Sequence, residues 1–303
     1  MSRSIRPVLV GAGQLIDRPA TLAEARSPLS MMLETARGCA IDAGLQPDCL
    51  KKIDVLAVVN SVGPALLTNP PAELAQRLGA EHCRQFHTVT GGNTPQMLVN
   101  HFASEIARGA ADMVLLTGAE ALDSLKRSRK TGEKPDWEAD TVTTLPETIG
   151  DGRPGSNDCE IAHGMQAPIA AYPLFENALR RHYGRSLQSH QLALGRMLAP
   201  FTRFAADNPY AWFPIQRSAE EIARVTPDNR YVGFPYTKYM NAIMRVNQSA
   251  SVLLTSDVQA RALGIDESRW VYLHGCADVN EIWHVSERID FHSSPALVSG
   301  LGK

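Results

Sequence analysis

The chain has 303 residues, 44% of them hydrophobic and 20% charged, enough to bury a real core as one large domain or two moderate ones. Its formal net charge of -2 offers no broad positive field, which argues against nucleic acid and anionic membranes as partners. The cysteines Cys39, Cys49, Cys83, Cys159 and Cys276 are odd in number and lack a CxxC pair, the usage of a reducing, cytoplasmic compartment with thiols rather than disulfides.

In chain order, the start MSRSIRPVLVGAGQ is basic, but its apolar run is short and broken by glycine. It predicts a first strand at residues 8–10 and a tight turn at Gly11-Ala12-Gly13, rather than a signal peptide. No segment has the uninterrupted apolar length of a transmembrane helix. Residues 27–43 predict a helix, with Ser27 as cap, Pro28 in the first turn and Gly44 as the stop. A continuous apolar strand is expected at 53–59, a short helix at 70–78 and a third strand at 87–90. The stretch Thr88-Val89-Thr90-Gly91-Gly92-Asn93-Thr94 then leads into a helix at 95–108, with Thr94 as its expected cap. Ala103, Ala107 and Ala110 predict close packing on more than one side, a helix buried in the middle of the molecule. Another strand follows at 113–118. This alternation predicts an α/β fold with a mostly parallel mixed sheet and right-handed crossovers.

Beyond that strand the texture changes. Residues 123–156, with Lys126, Arg127, Arg129 and Lys130, are expected to form an irregular loop. Residues 161–183 and 189–206 predict two amphipathic helices, the first split or begun by Pro168 and Pro173. Strands return at 251–255 and 270–274 around a helix at 257–263. The expected organisation is one α/β domain, 1–122 and 236–303, carrying a helical insertion at 123–235.

Several small constellations carry chemistry. Gly11-Ala12-Gly13 lacks the spacing of a dinucleotide fingerprint, and Gly91-Gly92 lacks a P-loop lysine. Cys159 and His163 are four apart on an expected helix, either two metal ligands or a packed thiol with a capping histidine. His274, Cys276 and Asp278 alternate, so a continuing strand would place them on one side as a nucleophile and base. His82 and His87 flank the third strand as structural or exposed groups.

Taken together, these stretches resemble the thiolase superfamily, especially sterol-carrier-type thiolases and bacterial thiolase-like proteins. The resemblance rests on Val89-Thr90-Gly91-Gly92-Asn93-Thr94-Pro95-Gln96 before the central helix, on Gly118-Ala119-Glu120, on His163-Gly164 and on Asn208-Pro209-x-Ala211. Asn247-Gln248-Ser249-Ala250-Ser251 sits where the family has a polar pair before small residues, but Gln248 and Ser249 replace the usual Asp-Gly. The resemblance covers the N-terminal half of a thiolase only. No Gly-His-Pro occurs, so the expectation is a truncated chain, a gene ending early, or a half completed by another polypeptide.

The resemblance implies a thiolase-like N-terminal domain with a buried central helix and a helical insertion. It puts Gly92 in the position where the family's acylated cysteine stands, with Asn93 beside it to donate to a thioester carbonyl. His163 and Cys276 are the further catalytic candidates. Met165, Trp212, Met240, Met244 and Ser249 are candidates to line a coenzyme A groove, or else belong to ordinary packing. The implied function is binding of acyl-CoA or a related small-molecule thioester without cysteine-based thiolysis, with no metal and no tightly bound cofactor. The alternatives are an acetyl-CoA acetyltransferase of lipid metabolism whose remaining catalytic residues lie in a missing C-terminal half, and a non-catalytic subunit of a homo-oligomer or of a complex with a partner polypeptide.

Overall fold

Continuous apolar runs become strands covered on both faces, and capped helical runs supply the cover. The computed structural model describes residues 5–63 and 65–302, so residues 1–4 of the basic start, Pro64 and Lys303 lie outside the described residues. The chain divides into two compact units, Met1–Gly152 with Met244–Cys276, and Arg153–Ile243 with Ala277–Lys303.

In the first unit, β1 (Pro7–Ile16) runs straight through Gly11 and Gly13, in place of the expected turn. The reason is a distant part of the chain. A Cβ on Gly11 would stand 2.2 Å from the Cys39 carbonyl oxygen, and one on Gly13 would stand 2.1 Å from that of Thr35. Only glycine therefore lets α1 (Pro28–Asp42) lie this close to the strand. Helix α1 starts as predicted, with Ser27 Oγ accepting from the Ser30 N–H at 3.0 Å. Next come β2 (Val55–Val58), buried at every position, and α2 (Pro70–Leu78), capped by Asn69 and ended by left-handed Gly79. After β3 (Arg84–Thr88), α3 (Thr94–Ala107) and β4 (Met113–Ala121), the expected irregular loop opens instead as α4 (Leu122–Thr131). Its Arg127 guanidinium donates to the Pro19 and Ala20 carbonyls, each at 2.8 Å. That tether turns a charged run into a docked helix. The same expectation is corrected again by β5 (Glu147–Ile149), which pairs in parallel with β3.

The second unit holds α5 (Asp158–Ala162), α6 (Pro168–His182), α7 (Leu187–Asp207) and α8 (Ala219–Ala223). A short antiparallel pair, β6 (Tyr231–Gly233) and β7 (Tyr236–Thr237), completes this stretch. Pro168 begins α6 in its first turn and separates it from α5, while Pro173 stays inside the helix. The chain then returns to the first unit with β8 (Asn247–Ser256), α9 (Asp257–Ala262) and β9 (Val271–Tyr272), and ends with α10 (Pro295–Leu301) in the second.

The sheet of the first unit has the order β5-β3-β2-β4-β8-β1-β9, in which β8 and β9 run against the other five strands. Alternate strand residues divide the interior into two layers. Val58, Leu115 and Leu253 join Leu29, Met32 and Leu74 of α1 and α2. Val55, Phe86 and Val114 join Leu98, Phe102 and Ile106 of α3. Beyond that sheet-facing side of α3 Asn100 is also buried, while Gln96, His101 and Ser104 are exposed, less cover than the expected packing on more than one side. The alanines permit close packing on the sheet without enforcing a second cover.

Candidate functional site

The turn from β3 into α3 lies at the carboxyl end of the parallel strands, the end at which open α/β sheets place ligands. Thr94 folds back onto it, with its hydroxyl donating to the Gly91 carbonyl at 2.7 Å and its N–H donating to the same oxygen at 3.2 Å. That bond leaves Asn93, not Thr94, in the cap position, and the Asn93 side chain makes no capping bond. From the β2 side, Asn60 holds the turn: its backbone N–H donates to Thr88 Oγ1 and its side-chain amide to Thr90 Oγ1, both at 2.9 Å.

Gly92 and Asn93 are exposed at the head of this 14-residue helix. A Cβ on Gly92 would meet nothing within 4 Å, whereas one on Gly91 would stand 2.9 Å from Asn93 Oδ1. Position 92 thus has room for a side chain and none is there. The helix end carries partial positive charge suited to an anion or a polarised carbonyl, but glycine supplies no nucleophile.

The other sequence candidates sit as follows. His163 and Met165 flank the end of α5 in the second unit. His163 Nδ1 is 2.8 Å from the Cys159 carbonyl and only loosely near Cys159 Sγ, at 3.9 Å. A nitrogen that donates to a carbonyl keeps its proton, so through that atom it is no base for the thiol. Ser156 donates to the Met165 carbonyl at 2.9 Å. Trp212 and Met240 are half-buried in the same unit. In the first unit Met244 is exposed, and Ser249 is buried with its hydroxyl donating to the Gly118 carbonyl at 2.9 Å. Because β9 stops at Tyr272, the expected strand through His274, Cys276 and Asp278 does not form. His274, Cys276 and Asp278 are all exposed on irregular chain around Gly275.

Burial sorts the thiols. It pushes Cys39 up to about 12 and Cys83 up to about 11, while Cys159 and Cys276 are exposed. Among the described residues, no group of three or more His, Cys, Asp or Glu could hold a metal ion, and no helix is long and apolar enough to cross a membrane.

Two polar clusters escape a reading of the sequence. Thr35 Oγ1 lies 2.9 Å from Ser249 Oγ and 2.7 Å from Ser251 Oγ, which lies 2.6 Å from Thr117 Oγ1. In the second unit, Glu176 takes Tyr236 OH and His190 Nε2 at 2.7 Å each. Burial and that carboxylate push the Tyr236 phenol upward. Neither cluster has a local sequence signal, because each joins residues of separate elements.

No family model and no curated protein matches this sequence. Among solved structures, a monomeric SCP2-thiolase-like protein type 1 from Mycobacterium smegmatis is 32% identical with a TM-score of 0.79, and the match covers 100% of this chain and 57% of that one. The chain therefore spans little more than half that protein's length. The Ltp2-ChsH2(DUF35) aldolase matches at 17% identity and TM-score 0.68 over 96% of this chain and 66% of that one. An acetyl-CoA acetyltransferase from Syntrophomonas wolfei matches at 16% and 0.51 over 87% and 67%. The last two speak for the fold alone.

Proposed function

The chain belongs to the thiolase superfamily, on its SCP2-like side, and from that premise we propose that it binds acyl-CoA or a related thioester without cysteine-based thiolysis. The observation that carries this reading is Gly92, exposed and side-chain-free at the head of α3. A thioester placed there has its carbonyl oxygen against the helix N-terminus, where the Asn93 amide, which caps nothing, is available to donate. No covalent acyl intermediate forms at the head of α3, since Gly92 cannot attack, and Cys39 and Cys83 are buried thiols held far above neutrality. On this reading the protein is a cytoplasmic member of lipid metabolism that uses coenzyme A esters as ligands.

Calorimetric titration with acetyl-CoA tests it. Saturable binding is expected, about 5-fold weaker in Asn93→Ala for the loss of one hydrogen bond. Absence of binding, or release of free coenzyme A by the wild-type protein, overturns it.

A second reading is a chain that works with a partner polypeptide. It is favoured by the Ltp2-ChsH2(DUF35) aldolase, named as an assembly and similar to this chain in fold. Isolation of a stable complex with a second, different polypeptide supports that reading; a chain that binds acetyl-CoA as a monomer counts against it.

A further inference from the structure

On the face of the first unit's sheet opposite α3, a pocket opens at the carboxyl ends of β2, β3 and β4. It is a small cavity of about 50 Å³ behind a mouth open to solvent, between the starts of α1 and α2. Met32, Val58, Leu67 and Pro70 give it an apolar wall, and Asn60 and His87 are polar groups in it. His87 faces this side because its neighbour Phe86 on β3 faces α3.

The rim is built, not left open by chance. The Thr68 N–H donates to Asp140 at 2.9 Å and the Asn69 amide to the Thr144 carbonyl at 3.0 Å. Behind them Glu73, 2% exposed, accepts from the Thr141 N–H at 2.6 Å, and from the Thr141 hydroxyl and the Val142 N–H at 2.7 Å each. These bonds hold Thr68 and Asn69 beside the mouth before any ligand arrives, as in the preformed sites that small molecules use.

The polar groups define what fits. The His87 ring makes no hydrogen bond among the described residues, and burial holds it below its ordinary value, so it is neutral at pH 7. A neutral imidazole offers one donor and one acceptor. The Asn60 amide nitrogen is spent on Thr90, which leaves its oxygen as an acceptor. No lysine or arginine lines the pocket. A carboxylate, Glu120, accepts from the Val62 N–H at 2.8 Å, next to the lining residue Ser61. An anion would find no countercharge and a nearby like charge. A hydroxyl, which both donates and accepts, matches an unpartnered imidazole.

We propose that this pocket binds a small uncharged molecule with an apolar body and one hydroxyl, the hydroxyl bonded to His87 and the body against Met32, Val58 and Leu67. The proposal does not depend on the thioester reading of Gly92, although Asn60 both lines this pocket and holds the turn before Gly92.

The test uses the whole protein and p-cresol as probe, followed by NMR of the histidine ring resonances. Saturable shifts of the His87 ring are expected. His87→Phe should weaken binding about 5-fold, and Ala65→Trp at the exposed rim should block it while leaving the rest of the spectrum folded. p-Toluate, the anionic analogue, should bind at least 10-fold more weakly. The proposal is overturned if p-cresol leaves His87 unshifted, if Ala65→Trp binds it as tightly as the wild type, or if p-toluate binds equally well.

Discussion

At the scale of single residues, position 92 makes the sharpest chemical statement. Its backbone leaves open space where a Cβ would stand, so Gly92→Cys should fold without strain and place a sulfur at the head of α3. Helix N-termini lower thiol pKa values. The introduced thiol should therefore react with iodoacetamide at pH 7 faster than the exposed Cys159 and Cys276, while Cys39 and Cys83 stay silent. Peptide mapping after timed alkylation reads this directly, and an introduced thiol slower than Cys159 would remove the argument for an activating helix end. His87 supplies a second residue-scale prediction. Burial lowers its pKa in the folded state, so between its folded value and the unfolded value near 6.5 the unfolded chain binds more protons. Stability of the wild type should fall as pH drops through 6.5, and His87→Phe should flatten that part of the profile in urea titrations.

At the scale of elements, β1 and α1 approach each other backbone to backbone at Gly11 and Gly13. A methyl at Gly13 would stand 2.1 Å from the Thr35 carbonyl oxygen, a backbone atom that cannot rotate away. Gly13→Ala should cost about 3 kcal/mol, at the upper end of ordinary overpacking, measured as a lower urea midpoint at unchanged slope. A loss below about 0.5 kcal/mol would mean that α1 shifts freely on the sheet. The same contact explains what can be read from sequence and what cannot. Helix α2 is legible to the residue, because Pro70, Asn69 and Gly79 are local signals that punctuate it. Strand β1 reads too short because glycine looks locally like a turn, and the helix that requires it lies well downstream in the chain. Helix α4 is hidden because its charged run looks solvated until Arg127 meets the carbonyls of Pro19 and Ala20. At the candidate site, the turn containing Gly92 is visible as a Gly-Gly pair before a proline-started helix. The hydroxyl cluster is not, since Thr35 and Ser249 are 214 residues apart in sequence.

At the scale of the whole molecule, the chain matches an SCP2-thiolase-like protein over all of its own length, and the proposal of a thioester ligand that leaves unchanged rests on Gly92. Exposed Cys159 and Cys276 are the thiols that could contradict this. The decisive measurement is the intact mass of the protein after incubation with acetyl-CoA, with free coenzyme A assayed in the same sample. An unmodified mass with no coenzyme A released, beside saturable binding in the titration, is the predicted result. An acetyl adduct on any cysteine, formed with stoichiometric release of coenzyme A, would contradict the account.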